Sequence, residues 1–166
     1  MRRSLALAAL FVFFASLPAL AAAPAAAPAT GKGPAKCKTV TLHIFSRVFQ
    51  NFHDKVVATP NKPFRVGDTE YTARIIRFEP DFSLDLKTRK ATSMSGEPNN
   101  PAFQIVVSKG GVPHDTSWAF FNMPPHYSAK AHLAFVATRI DFVNRPVLES
   151  QDSLAIRIRQ HEGAGQ

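Results

Sequence analysis

Apolar and polar residues alternate with a period of two over most of the chain after residue 37, as is typical of β-strands with one buried face. Val40, Leu42 and Ile44, for example, alternate with polar neighbours. Clusters of proline, glycine and asparagine separate the alternating runs, which favours short turns between strands. The pattern predicts strands over 38–44, 71–78, 82–86, 102–108, 117–123, 133–143 and 154–159.

The number and spacing of these runs predict an all-β fold. We expect a single β-sandwich or partly open barrel of six to seven mostly antiparallel strands. The run 133–143 is apolar on both faces and should be central, whereas 38–44 should be half-buried with Thr41 and His43 on its polar face. One interruption is predicted, a short helix near 45–53, because Phe45, Val48, Phe49 and Phe52 are spaced i, i+3, i+4 and i+7. Continuation as a strand is the alternative there.

The amino end has the pattern of a secretory signal peptide over 1–23. Arg2 and Arg3 precede an apolar run, and small residues around Ala21 and Ala23 suit a cleavage site. An uncleaved anchor is the alternative. Residues 24–36 are rich in Ala, Pro, Gly and Lys and predict a flexible spacer, 37–160 predict the β domain, and 161–166 a disordered tail. The expected location is periplasmic or secreted, with no transmembrane span in the mature chain.

The chain has a net charge of +8. Removal of the signal would leave 18 Lys and Arg against 12 Asp and Glu, a net charge of about +6. The basic residues are scattered rather than gathered in one stripe, so an anionic envelope surface fits better than a nucleic acid. Cys37 is the single cysteine, which excludes an intrachain disulfide and leaves an intermolecular or redox role open.

The hairpin 102–123 and the loop after it carry the candidate binding residues. Trp118 and Phe120 share a parity and are expected to fill the core, whereas Phe121 has the opposite parity and is expected to face a ligand. The aromatic and proline-rich loop that follows suits a contact surface. The candidate partner-binding or ligand-binding residues are therefore Trp118, Phe121, Pro124, Pro125, His126 and Tyr127.

Histidine is the commonest metal-binding side chain, and three histidines lie near the same end of the hairpin. His114, His126 and His132 are the candidate ligands for a divalent metal or haem. Their spacing matches no metal motif, so no cofactor is expected and a metal or haem carrier is the alternative. No nucleophile elbow, P-loop or dinucleotide fingerprint is present, and we expect a non-enzymatic protein.

The order of features from Phe64 to Phe142 resembles a known domain. The stretches "RVGDTEYTARIIRFEPDFSLD", "EPNNPAFQIVVSKGG" and "SWAFFNMPPHY" resemble the extracytoplasmic β domain of the ResB-type cytochrome c maturation proteins, and small exported bacterial proteins with the same arrangement. Those ResB-type proteins also carry several transmembrane helices and membrane-embedded histidines, which this chain lacks. The resemblance implies an exported β domain beside a redox or haem-delivery complex, and it transfers no catalytic residue.

These observations predict a periplasmic β module that binds a protein or envelope partner through the Pro124 to Tyr127 end. The alternative is a carrier of a small ligand, haem or metal that uses His126, His132 and the strip from Trp118 to Phe121.

Overall fold

The structure is a computed structural model that describes residues 33–49, 51–121, 123–125, 128 and 130–150. These residues form an all-β fold, which confirms the predicted class. Ten strands occur in the described part of the chain: β1 (Cys37–Ser46), β2 (His53–Ala58), β3 (Pro63–Arg65), β4 (Tyr71–Glu79), β5 (Phe82–Leu84), β6 (Ala91–Ser93), β7 (Ala102–Lys109), β8 (Val112–Phe120), β9 (Leu133–Phe142) and β10 (Leu148–Glu149).

Eight of these strands form one strongly curved sheet that is nearly closed into a barrel. Its order is β2-β1-β9-β8-β7-β4-β3, and β10 pairs with the free half of β9. All pairings are antiparallel except a parallel contact between Phe120 of β8 and Val136 of β9. The remaining two strands, β5 and β6, form a separate hairpin. The barrel alternative is thus the one the chain adopts.

The inside of the barrel is filled by aliphatic and phenylalanine side chains. The fully buried members include Val40, Leu42, Ile44, Ile75, Phe103, Ile105, Phe135 and Ile140. Strand β9 is central, as predicted, because it lies between β1 and β8 and buries Leu133 to Ala137 on both of its faces. A strand covered on both faces reads as a continuous apolar run, which is the pattern of this segment.

Strand β1 is buried on both faces rather than on one. Val40, Leu42 and Ile44 face the core as predicted, but Thr41 and His43 on the opposite face are also only 7% and 3% exposed. Both lie in a small polar pocket together with Lys55 of β2 and Ser150. The prediction of a half-buried strand was therefore wrong for this segment, because neighbours that sequence alternation does not reveal lie over its polar face.

The predicted helix near 45–53 does not occur over 45–49 or 51–53, the residues of this segment that the structure describes. Strand β1 continues through Ser46, a short loop follows, and β2 begins at His53. The Ser46 hydroxyl accepts hydrogen bonds from the amides of Val48 and Phe49 at 3.1 and 2.9 Å, which fixes the loop as a turn. The long-range pairing of β1 with β2 outweighs the local helical spacing of the apolar residues.

The β7–β8 hairpin closes through Gly110 and Gly111, whose φ angles are +56° and +83°. Two successive positive φ values suit a two-residue hairpin turn, and glycine adopts them without steric cost. A bulge follows: Val107 pairs with Asp115 and Ser108 pairs with Pro113, so His114 is an extra residue on β8. A bulge re-aims the side chain of its extra residue.

The domain starts earlier than predicted. Gly33 to Lys36, expected to belong to the spacer, are bound to the domain: the Ala35 amide donates to the Gly96 carbonyl at 2.8 Å, and Asn144 donates to the Pro34 carbonyl at 2.9 Å. The short strands β2, β3, β6 and β10 were not predicted. The predicted signal peptide (1–23), residues 24–32 of the spacer, the strand over 154–159 and the tail (161–166) lie outside the described residues.

Burial of Phe135 in the barrel should make it a main determinant of stability. We expect Phe135→Ala to lower the free energy of unfolding by about 3–5 kcal/mol, the usual loss for a large aromatic in a packed core. The matched control is Phe49→Ala, because Phe49 is 72% exposed and should lose less than about 1 kcal/mol. Urea unfolding followed by circular dichroism measures both, and similar losses for the two variants would contradict this fold.

Candidate functional site

Strand β8 presents its faces in the reverse of the predicted way. Ala119 and Phe121 belong to the core cluster, and Ser117 beside them is 1% exposed. Trp118 is only half-buried on the outer face, and Phe120, although 5% exposed, lies outside the core cluster. The prediction that Phe121 faces a ligand is therefore not met, since this side chain packs in the core cluster. Alternation along a strand divides its residues between two faces, but it does not determine which face is turned towards the core.

The β5–β6 hairpin packs against this outer face through Phe82. The Phe82 ring lies 5.0 Å from the Trp118 ring and 5.0 Å from the Phe120 ring, both edge to face. Trp118 and Phe120 are stacked on each other at 6.3 Å. Edge-to-face aromatic contacts of this kind add about 0.5–1.5 kcal/mol each beyond area burial. The three rings form a fixed aromatic platform outside the barrel.

This platform is the floor of a cavity of about 530 Å³, which we call the Trp118 groove. The groove is lined by Phe82, Leu84, Arg89, Trp118, Phe120, Met123, Pro124 and Pro125. The structure thus brings together three of the predicted binding residues, Trp118, Pro124 and Pro125. Two others, His126 and Tyr127, lie outside the described residues.

Arg89 is the one cation among the described residues that line the groove. It is held by the turn that joins β5 to β6, where Asp85 accepts hydrogen bonds from the amides of Lys87 and Thr88. The hydrogen bond from the Thr88 amide, followed by that from the Lys87 amide, lowers the pKa of Asp85 below its ordinary value. Arg89 itself has a φ of +54°, a left-handed conformation that costs a non-glycine residue roughly 1–2 kcal/mol. The turn therefore fixes a positive charge at the edge of an apolar groove.

A second cluster lies at the mouth of the barrel. The bulge residue His114 and His132, which precedes β9, have ring centroids 5.3 Å apart. Tyr71 at the start of β4 contacts both rings, at 5.9 and 6.3 Å, and its hydroxyl lies 2.9 Å from Nδ1 of His132. The predicted convergence of His114 with His132 is thus present, but the predicted third ligand, His126, is outside the described residues. Among the described residues no group of three or more potential metal ligands occurs.

Sequence reasoning missed the residues that complete both clusters. Phe82 and Leu84 were predicted as parts of an ordinary strand, and Arg89 was one of the scattered basic residues. Nothing local in the sequence indicates that the β5–β6 hairpin folds back onto β8. The proximity of Tyr71 to His132 depends on a contact across 61 residues.

Cys37 lies at the start of β1, half-buried. Burial, together with the nearby Asp141 carboxylate, raises the pKa of its thiol to about 12. Because the thiolate is the reactive form, a raised pKa makes a cysteine inert at neutral pH. The redox role left open by the sequence therefore finds no support in the surroundings of this thiol.

Comparison of the chain with protein-family models, with curated proteins and with solved structures finds no match. The resemblance to the ResB-type extracytoplasmic domain consequently stays a prediction. Within the part of the chain that the structure describes, no helix has the length and apolar character needed to cross a bilayer.

The raised pKa of Cys37 predicts slow alkylation of the folded protein. Relative to the ordinary value of 9.0, a pKa of about 12 lowers the thiolate fraction at pH 8 on the order of a thousandfold. Iodoacetamide should therefore label the native protein far more slowly than the urea-unfolded chain, and the native rate should keep rising well above pH 9. Mass spectrometry gives both rates, since Cys37 is the only thiol. A native rate that levels off near pH 9 would contradict the assignment.

Proposed function

We propose that this protein is a non-enzymatic, exported binding module that receives an extended apolar segment of a protein partner in the Trp118 groove. The observation that carries the proposal is a half-buried tryptophan, edge to face with Phe82, on the floor of a cavity of about 530 Å³. Tryptophan is one of the residues enriched among the anchors of protein interfaces, which lie in pockets that are desolvated on binding.

The lining supports a peptide segment as the occupant. Aromatic side chains interleaved with prolines form the grooves that bind extended, proline-rich or aliphatic segments, because such segments lose little conformational freedom on docking. Met123 adds an adaptable wall, which lets one groove accept several apolar side chains. Arg89 at the edge of the groove suits an acidic residue next to the apolar segment.

Exposed apolar side chains extend the groove onto the β5–β6 hairpin. Leu84, Leu86 and Met94 are 46%, 85% and 78% exposed, and all three belong to this hairpin or its immediate ends. Several apolar side chains exposed on one hairpin favour an interaction site there. A partner that fills the groove would cover this surface as well.

The compartment follows from the amino-terminal sequence. Its charged start, apolar run and small residues support export, and the net positive charge favours an acidic partner or an anionic envelope surface. A role beside a cytochrome c maturation or redox complex rests on the sequence resemblance alone.

A photo-crosslinking residue placed at Leu84 should capture the partner in cells, because this position lies on the rim of the groove. The matched control is the same photo-crosslinking residue placed at Val112, which is 67% exposed at the far end of β8. It should capture none of the proteins that the Leu84 variant captures. Trp118→Ala should weaken capture from Leu84 about tenfold or more, as expected for an anchor side chain.

Circular dichroism of Trp118→Ala separates a lost contact from a lost fold. If Leu84 and Val112 captured the same proteins, or if Trp118→Ala with an intact spectrum captured as well as the wild type, the groove would not be the binding site.

A carrier of a divalent metal or haem is the second candidate. It is favoured by one observation, the 5.3 Å approach of the His114 and His132 rings. Two imidazoles are too few for a closed metal site, so this function needs a further ligand such as His126.

For this second candidate we expect Zn²⁺ or Ni²⁺ to raise the melting temperature of the purified protein, and His114→Ala to abolish the shift. His53→Ala is the control, because His53 contacts Phe45 in a different part of the molecule. Added haem, followed by its absorbance spectrum, tests the haem version in the same preparation. Flat titrations in the wild-type protein would dismiss this candidate.

A further inference from the structure

A second cavity, of about 300 Å³, opens at the mouth of the barrel. It is distinct from the Trp118 groove, and none of the described residues lines both. Its walls come from the β1–β2 loop, the start of β4 and the start of β9, and they consist of Ser46, Val48, Phe49, Phe52, Thr69, Tyr71, His132 and Leu133. A volume of this size matches the lower range of small-molecule sites.

Most polar atoms of this lining are already occupied by the protein itself. The Ser46 hydroxyl accepts from the amides of Val48 and Phe49. The Thr69 hydroxyl donates to the Val66 carbonyl at 2.5 Å and accepts from the Tyr71 amide at 3.2 Å. Among the described lining residues, the polar groups that can still address a ligand are the Ser46 hydroxyl proton and the pair formed by the Tyr71 hydroxyl and the His132 imidazole, joined to each other at 2.9 Å. An apolar cavity with one convergent polar pair suits a ligand with an apolar body and one polar end.

Donor groups around the mouth favour a hydrogen-bond-accepting polar end. His114 lies against His132, and the Lys109 ammonium, which pairs with Glu70 at 2.7 Å, lies 5.8 Å from the centre of the Tyr71 ring. Arg47, next to the lining residue Ser46, donates to the Ala131 carbonyl at 3.1 Å. A carboxylate at the mouth would thus meet the Tyr71 hydroxyl as a donor, with the Arg47 guanidinium nearby.

The apolar part of the rim is open to solvent. Val48 and Phe49 are 59% and 72% exposed, although both line the cavity. An alkyl chain lying from the cavity onto these two side chains would remove apolar surface from water at roughly 25 cal/mol per Å². The exposed pair thereby extends the length of chain that the site can accommodate.

We infer that this cavity binds the single acyl chain of a carboxylic acid. The alkyl chain lies against Phe49, Phe52 and Leu133. The carboxylate accepts a hydrogen bond from the Tyr71 hydroxyl, whose oxygen accepts one from Nδ1–H of His132. The same acyl chemistry could be supplied by a free fatty acid or by a membrane lipid. The open, small cavity holds one chain, and the assignment is therefore to the free acid.

Decanoate below its micelle concentration is the probe, with isothermal titration calorimetry on the full purified chain as the measurement. Saturable binding is expected, and butyrate, with too short a chain, should bind at least about tenfold more weakly. Decanol, which keeps the chain but has no charge, should bind about tenfold more weakly than decanoate. Equal affinity for decanol and decanoate would overturn the assignment of the carboxylate.

Two variants locate the ligand. Tyr71→Phe removes only a hydroxyl and should weaken decanoate binding about fivefold. Phe49→Ser, at an exposed position that is expected to fold, should weaken it about tenfold. Val112→Ser is the control and should leave the affinity unchanged. Absence of saturable decanoate binding, or binding that ignores both Tyr71→Phe and Phe49→Ser, would overturn the inference.

Two further measurements distinguish a free fatty acid from a membrane lipid, and this cavity from the Trp118 groove. Association with anionic phospholipid vesicles in a protein that does not bind free decanoate would assign this surface to a membrane and contradict the proposal. Trp118→Ala should leave decanoate affinity unchanged, because Trp118 does not line this cavity. Failure of partner capture at the Trp118 groove and failure of decanoate binding are therefore independent results.

Discussion

The two-residue alternation along β8 is the constraint on which the rest of this molecule depends. Once Ala119 and Phe121 enter the barrel, Trp118 and Phe120 must point outward, because successive side chains of a strand lie on opposite faces. Large aromatic side chains left outside a barrel need a cover, and the β5–β6 hairpin supplies part of it through Phe82. The part that the hairpin does not cover is the Trp118 groove. The bulge at His114 is the single break in this alternation, and it directs that side chain towards Tyr71 and His132.

Local patterns predicted the strands that are long and apolar. The two buried faces of β9 are visible as a continuous apolar run, and the turn between β7 and β8 as two adjacent glycines. Both features were predicted from these local patterns. The segment 45–53 has a local pattern too, but the pattern is helical and long-range pairing of β1 with β2 prevails there. Strands of two or three residues, such as β3 and β10, are too short to show any period.

The candidate sites were predictable only in part. Trp118, Pro124 and Pro125 were singled out by residue type and do line one groove, whereas Phe121 was assigned to the wrong face. Arg89, Phe82 and Tyr71 carry no local signal, because their roles arise from contacts between segments far apart in the chain. The buried polar face of β1 was missed for the same reason. Alternation fixes which residues lie together on a face, and tertiary packing decides what that face meets.

The most direct test of this account is the environment of Trp118, the only tryptophan in the chain. A nuclear Overhauser spectrum of the isotope-labelled protein should show contacts from the Trp118 indole to the rings of Phe82 and Phe120, whose centres lie 5.0 and 6.3 Å away. Phe121 should instead show contacts to the aliphatic core. Contacts from the indole to core residues such as Ile105 and Phe135, without any to Phe82, would contradict the account, because the groove would then have no floor.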